Sequence, residues 1–343
     1  MTMKQLPAAV AAAIESSIIT EFATVSAAGV PIDTPTYCFP TDDLGAIGIA
    51  TGLAYPAKAE RARRNPKVGL LLECGPGAPV VAIRGLAAVR DADLQANAIR
   101  YLAETGYEAV ATAAGVDWDQ ARLAVWYWTR IIVDIAPQRV LWWDSHAAMD
   151  QAPQVLDLDV PAGWRSDPAP AGKPSAPPAW PKRPWQEIAD GAIARQAPGH
   201  LTLLDADGWP LPMPVRSATR SAEGFRLDIP AGAPWPGRAG QATLTFQGLE
   251  TFVGTVHEAD GAVVLTVERA LPQNPLIVDP AQVLRPADDV RETLLERLRA
   301  ECARRGQGVP EIPAEPPART RLALGRQALA AAYTQLGKEE TPQ

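Results

Sequence analysis

Phe22-Ala23-Thr24-Val25-Ser26-Ala27-Ala28-Gly29-Val30-Pro31-Ile32-Asp33-Thr34-Pro35 decides the fold. An alternating run enters a glycine turn and leaves as a second extended run, so a β-hairpin is predicted over 22–39. Moving outward, Asp42-Asp43-Leu44-Gly45 makes the next turn, 46–50 a third strand, and Thr51-Gly52 a loop. Pro56 then opens a helix bearing Lys58, Arg61, Arg63 and Arg64, which Pro66 stops. Two strands follow at 68–73 and 80–90, a helix at 91–105, and a closing strand pair at 125–135 and 139–144. About six strands with few helices between them describe an antiparallel barrel rather than a βα repeat.

Much of this pattern recurs. Gly208-Trp209-Pro210-Leu211-Pro212-Met213-Pro214 repeats the spacing of Gly29 to Pro35 at an offset of 179, and Gly224 keeps that offset from Gly45. Gly254 answers Gly85 at 169. The ten residues lost fall where the first copy has its basic helix, so the second copy reads as degenerate. Its strands are expected at 200–205, 211–217, 225–229, 242–247, 251–258 and 263–268. The organisation that follows is an N-terminal split barrel over 1–146, a Pro/Ala-rich linker over 147–184, a degenerate second split barrel over 185–286, and a C-terminal helical segment and tail over 287–343. Within that tail, 288–304 is an amphipathic helix with Val290, Leu294, Leu295 and Leu298 on one face, and 319–336 is a second helix. An alanine-rich helix over 6–19 closes one end of the barrel.

At 343 residues the chain holds two domains with a core each. A net charge of −7 gives no footprint for a nucleic-acid backbone. No run approaches the ~20 apolar residues that span a bilayer, so a soluble, cytoplasmic protein is expected. Cys38, Cys74 and Cys302 lack metal or disulfide spacing and read as incidental thiols of a reducing compartment. His146, His200 and His257 are scattered, with no partner at ligand spacing, so no metal site is expected. There is no nucleophile elbow and no Walker loop.

The chemistry concentrates after the third strand. A Thr-Gly loop feeding a helix whose first turn holds Lys58 suits a phosphate: free amides and the helix dipole favour a dianion, Thr51 donates a hydroxyl, and Lys58 adds charge. The competing reading is an ordinary solvated basic face. Trp126 and Trp128 share one face of a strand and either stack on a flat ligand or fill the barrel. Asp33, Tyr37 and Arg84 lie near the site and either polarise a substrate or face solvent.

The succession of strand, Gly-x-Pro hairpin, strand, Ala50-Thr51-Gly52, Lys58-Ala59-Glu60-Arg61-Ala62-Arg63-Arg64-Asn65-Pro66-Lys67-Val68 and Gly69-Leu70-Leu71-Leu72 resembles the FMN-binding split barrels of the pyridoxamine 5′-phosphate oxidase-like superfamily. The closing pair 131–144 resembles that superfamily's last strands. The resemblance covers 15–145 and, in diverged form, 195–285. It implies a mainly β protein of two tandem split β-barrels forming an intrachain pseudo-dimer, with C-terminal helices. It implies FMN between the barrels, one per chain, its phosphate on Thr51, Gly52, Lys58 and Arg61 and its ring beside Thr34 and Pro35. Lys58 stands one residue later than in many relatives, with Pro56-Ala57 before it, and Thr34 replaces an arginine of the oxidases proper. No counterpart of their C-terminal Arg/His substrate motif is found.

The function implied is an FMN-dependent oxidoreductase acting on a small planar or carbonyl-bearing compound, with no catalytic acid or base named. The alternatives are a flavin-binding module without turnover, a haem- or deazaflavin-binding barrel, and a flavin-free barrel doing non-redox chemistry. The assembly is either a monomeric pseudo-dimer or a further homodimer.

Overall fold

Strands β1 (Ile19–Val25), β2 (Pro31–Pro40), β3 (Ile47–Gly52), β4 (Lys67–Glu73), β5 (Val80–Arg90) and β6 (Arg130–Trp143) form an antiparallel sheet in the order β3-β2-β1-β4-β5-β6. β3 also pairs with β6, which closes the sheet into a barrel. The computed structural model describes residues 3–324 except 76, 106, 108–109, 112–113, 177–179, 181, 236–238, 247–249, 260 and 274–281. Phe22, Ile49, Leu70, Leu72, Val81, Ile83 and Ile131 fill the barrel, and helix α1 (Ala8–Ser16) adds Val10, Ala13 and Ile14 at one end. The barrel is split because β2 and β3 pair only from Cys38↔Ile49 to Pro40↔Ile47. Beyond that point Thr34–Tyr37 and Ala50–Gly52 diverge, and α2 (Ala57–Arg64) follows the open end. Helix α3 (Leu94–Glu104) starts where the Asp93 carboxylate accepts from Ala96 N.

The closing pair expected at 125–135 and 139–144 is one continuous strand, β6, that runs through Pro137 and Gln138, and a second expectation fails beside it. Trp126 and Trp128 are not on a strand but in a short helix, α5 (Val125–Trp128), preceded by α4 (Trp118–Ala121). Aromatic residues favour strands by propensity, but packing overrides it. Trp128 is buried with its Nε1 donating to Ala121 O at 2.7 Å, and Thr129 N bonds Val125 O.

The second unit opens with α6 (Trp185–Ala194) and contains β8 (Gly199–Leu204), β9 (Pro210–Val215), β10 (Ser217–Arg220), β11 (Gly224–Asp228), β12 (Gly240–Phe246), β13 (Glu250–Ala259) and β14 (Ala262–Ala270). Their order is β10-β11-β14-β13-β12-β8-β9, an open sheet. Its two free ends, β9 and β10, are successive segments of chain separated only by Arg216. Together they match β2 of the first unit: β10 pairs β11 through Ser217↔Asp228, at the offset of 179 from Cys38↔Ile49. Pro210, Pro212 and Pro214 lack the amides that would face the outer edge of β9, so no further strand can add there. The expected strand over 211–217 is therefore broken at Arg216, and this half-barrel takes the place of a closed second barrel.

Register matches elsewhere. Glu21 faces Pro35 in the first unit and His200 faces Pro214 in the second. A bulge falls at Arg84/Gly85 in β5 and at Val253/Gly254 in β13. The contacts between units are reciprocal as well. The Thr243 hydroxyl of β12 donates to Pro31 O of β2, while Gly69 of β4 sits so close beneath Pro210 of β9 that an added Cβ would lie 1.8 Å from that carbonyl oxygen. Pro31 and Pro210 are equivalent, as are Gly69 and Thr243, which face Ala23 and Thr202 on the first strand of each unit. Each unit thus presents the same surface to the other, as in a two-fold dimer interface. Leu71, Val80, Ala82, Leu141 and Trp143, on the outside of the barrel, join the apolar cluster of the second unit.

The proline-rich segment lies on the first barrel. β7 (Gln154–Asp157) extends the sheet at β6, Trp164 Nε1 donates to Leu86 O, and the Asp167 carboxylate accepts from Asp91 N and Ala92 N. Helix α7 (Asp288–Arg304) spans the expected residues and buries Leu294, Leu298 and Cys302 against the same barrel. The helix expected over 319–336 falls mostly outside the described residues. Among the described residues no helix is long and apolar enough to cross a membrane.

Candidate functional site

The divergence of β2 from β3 brings most of the expected site residues together. Lys58, in the first turn of α2, reaches back to donate its Nζ proton to Pro35 O at 3.0 Å. Arg61, one turn later, donates from Nε to Thr24 Oγ1 on β1 at 2.7 Å. Thr34 lies beside Pro35 and its Oγ1 is buried with no partner. At the other side of the opening Thr51 ends β3, its hydroxyl turned to Tyr55 O at 3.4 Å, and Gly52 pairs with Arg130. A side chain at Gly52 would crowd the Arg130 Nη1, 3.2 Å from an added Cβ.

The electrostatics are unusual for a solvated helix face. Lys58 and Arg61 are largely enclosed, and among the described residues neither has a carboxylate within ion-pair distance. Burial, reinforced by the Arg61 charge, pulls the Lys58 amine down to about 8, against the pull of Glu21 and Asp33 in the other direction. Burial, with Arg64 nearby, draws Arg61 down to about 10. Arg130 is a third cation here: its guanidinium lies 4.5 Å from the Tyr101 ring centre and 4.2 Å from that of Tyr127, and its Nε is buried without a partner. The Tyr55 hydroxyl is also buried and unpartnered, and burial pushes it up to about 12. Enclosed cations without counter-ions and polar atoms without partners are costly unless a polar anionic ligand completes them. The residues therefore fit a phosphate-bearing ligand such as FMN.

The β3–α2 loop is braced from outside. Arg297 of α7 donates from Nε and Nη2 to Ala54 O at 2.9 and 2.7 Å, Arg304 pairs with Glu60 of α2, and Trp180 packs on Tyr55. The corresponding loop of the second unit is spent on packing. Ala231 N donates to Asp150 Oδ1 and Gly232 N to Met149 O, so these amides are not free for an anion. Arg238, which closes that loop in the sequence, lies outside the described residues.

Sequence reasoning named some members of a second group, on the interface face of β1 and β2, but did not bring them together. Asp33 is fully buried, its Oδ2 accepting from Thr202 Oγ1 at 2.9 Å and its Oδ1 unpartnered. Burial, with the Glu21 charge beside it, holds its carboxyl well above the usual range. His200 stands between Glu21 (Nδ1 to Oε1, 3.0 Å) and Glu73 (Nε2 to Oε2, 2.6 Å), and Glu73 also meets His146 Nε2 at 3.0 Å. Burial opposes a charge on His200, but the two carboxylates outweigh it and raise the imidazolium to about 10. The absence of carboxylates at ligand spacing in the sequence is thus no guide: they arrive from other strands. His200 is hydrogen-bonded to Glu21 through Nδ1, while its buried Nε2, though 2.6 Å from Glu73 Oε2, makes no hydrogen bond of good geometry. Arg84 is likewise buried, paired with Asp205 of the second unit at 2.7 Å rather than facing solvent. Among the described residues no group of His, Cys, Asp and Glu is arranged to hold a metal ion. The one sequence signal for this grouping was the shared offset that places Glu21 and His200 at equivalent positions.

No protein-family model matches this chain, and no curated protein does. Solved structures do. A pyridoxamine 5′-phosphate oxidase-related, FMN binding protein of Nostoc punctiforme is similar at 14% identity and a TM-score of 0.30, over 41% of this chain and 86% of that one. General stress protein 26 of Bacillus anthracis is similar at 17% identity and a TM-score of 0.29, over 44% and 96%. PhzG of Burkholderia lata, in complex with tetrahydrophenazine-1-carboxylic acid, is similar at 14% identity and a TM-score of 0.32, over 46% and 84%.

Proposed function

We propose that this chain is an FMN-dependent oxidoreductase that acts on a small planar or carbonyl-bearing organic compound. The observation that carries the reading is the pair of enclosed cations, Lys58 and Arg61, that lack carboxylate partners among the described residues and stand beside the orphaned Thr34 hydroxyl. In this reading Lys58 and Arg61 neutralise the phosphate, and the Thr51-Gly52 loop donates to its oxygens. Thr34 and Pro35 border the ring, and the second unit closes the opposite wall and excludes water. One flavin per chain is expected, because the second unit's loop amides are already bonded. Bound FMN supplies hydride chemistry at its ring, while the protein holds and orients it.

The test is a titration of the purified chain with FMN, followed by the quenching of flavin fluorescence. Saturable uptake near one per chain, weakened by Lys58→Ala, supports the reading. A protein that takes up no FMN refutes it. Reoxidation of the reduced complex that speeds up with a carbonyl compound separates an enzyme from a carrier.

A further inference from the structure

Arg130 opens β6 on the far side of the opening from Lys58 and Arg61, and its side chain is pinned in place. The guanidinium lies against the rings of Tyr101 and Tyr127, 4.5 and 4.2 Å from their centres, and Nη2 donates to Tyr101 Oη at 3.2 Å. Tyr101 donates in turn to Tyr127 Oη at 3.4 Å. Nε is buried without a partner, and among the described residues the guanidinium has no carboxylate within ion-pair distance. Gly52, its ladder partner, leaves a gap beside it. An added Cβ would stand 3.2 Å from Arg130 Nη1 and 3.4 Å from Tyr55 Cδ2, so a longer side chain would fill the space that separates them. The Tyr55 hydroxyl is a second buried donor without a partner, and burial, against the Arg297 and Arg130 charges, pushes it up to about 12, so it keeps its proton.

Charge decides what belongs there. Lys58 and Arg61 are held on the β1–β2 side, at Pro35 O and Thr24 Oγ1, and together they match the roughly two charges of a phosphate monoester. Arg130 adds to burial and Arg61 in drawing the Lys58 amine down, so it is near enough to repel that pair. A third cation, which keeps its charge in a partly enclosed site, needs an anion of its own. The single charge left over matches a monoanion. A guanidinium presents its protons in one plane, as a carboxylate presents its lone pairs, and the tyrosine rings beside it suit a flat body. We infer that Arg130 binds the carboxylate of the substrate, which is therefore a planar carboxylic acid. That this acid reacts at the flavin rests on the flavin reading; the carboxylate site does not.

The experiment is isothermal titration of the full chain with benzoate and with its neutral isostere benzamide, first without FMN and then with FMN at saturation. Without FMN, saturable uptake of benzoate near one per chain is expected, at least about tenfold tighter than that of benzamide. In Arg130→Gln that preference should collapse to about unity and in Arg130→Lys return in part, while the FMN dissociation constant stays within about threefold of the wild type. Lost shape alone would weaken both probes equally, so their ratio reads the charge. In the FMN-loaded chain benzoate should also shift the flavin absorption bands. Equal binding of the two probes to the wild type, or a preference that survives Arg130→Gln, overturns the site. So does an Arg130→Gln chain that loses FMN affinity and keeps its hold on benzoate, which would put Arg130 on the flavin phosphate. Benzoate binding that leaves the flavin spectrum unmoved overturns the substrate role. A benzoate preference in a chain that refuses FMN would sink the flavin reading and keep the carboxylate site.

Discussion

Glu21 and His200 are equivalent positions of the two units, 179 residues apart, and they touch each other, Oε1 to Nδ1 at 3.0 Å. A residue that meets its own equivalent lies on the two-fold axis of an isologous interface. Here the two have diverged into opposite charges. The pair locks the units in register, because breaking one partner of a buried pair strands the other.

That pair makes stability depend on pH. The folded-state pKa of His200 is raised from 6.5 to about 10, so the folded protein binds more protons across that window. Its contribution is complete below about 6.5 and is lost as the pH rises through about 10. Lys58 has the opposite sign: lowered from 10.5 to about 8, it contributes more as the pH rises between those values. Urea midpoints measured from neutral pH to pH 10 should fall in the wild type relative to His200→Gln. His200→Ala should cost about 3–5 kcal/mol at neutral pH. A wild-type slope equal to that of His200→Gln would show that the imidazole carries no extra proton.

Lys58→Ala should weaken FMN binding at least about tenfold, about 1.4 kcal/mol. Since burial holds the amine near 8, wild-type affinity should decline as the pH rises beyond that value, and the Lys58→Ala titration should lose this dependence. Isothermal titration at several pH values reads both effects. An unchanged dissociation constant in the variant would remove Lys58 from the phosphate site.

Arg297 is expected to act at a distance from the ligand. Its fork on Ala54 O fixes the loop between β3 and α2, and no other described residue of α7 bonds that carbonyl. Arg297→Ala should raise amide hydrogen exchange over 52–57 and weaken FMN binding several-fold, while leaving exchange in the β12–β13 ladder unchanged. Equal exchange over 52–57 would mean that the helix merely covers the barrel.

Gly69→Ala is the sharpest test of the interface. The new Cβ would meet the backbone of Pro210, which cannot rotate away, so the units must separate locally. A loss of about 1–3 kcal/mol or more is expected from chemical denaturation. The equivalent change on the other side, Thr243→Ala, removes only a hydroxyl and should cost about 1 kcal/mol. If Gly69→Ala is neutral, the units are not packed as described.

The hairpin, the Thr-Gly loop, the basic helix and the repeat were all legible in the sequence, because each rests on local rules: turn glycines, proline stops, alternation and spacing. Gly85 and Gly254, matched at an offset of 169, each fall at a bulge that the spacing alone does not announce. The prolines at 212 and 214 read in the sequence as part of an ordinary strand over 211–217, and the edge position they share with Pro210 is a finding of the structure. Helix α5 was misread because Val125 to Trp128 has strand propensity, while the burial of Trp128 that decides its conformation comes from Tyr101, Trp118 and the Ala121 carbonyl, which propensity does not place against it.

What the sequence could not supply was the company each polar side chain keeps. Asp33 and Arg84 look like outward strand residues until a second unit covers them. His200, Glu21 and Glu73 come from β8, β1 and β4, and no spacing rule links three strands of two units. Local propensity and periodicity determine where strands begin, turn and repeat. Which charges are buried, paired or left waiting for a ligand is decided only when the two units dock, because desolvation and ion pairing depend on distance in space.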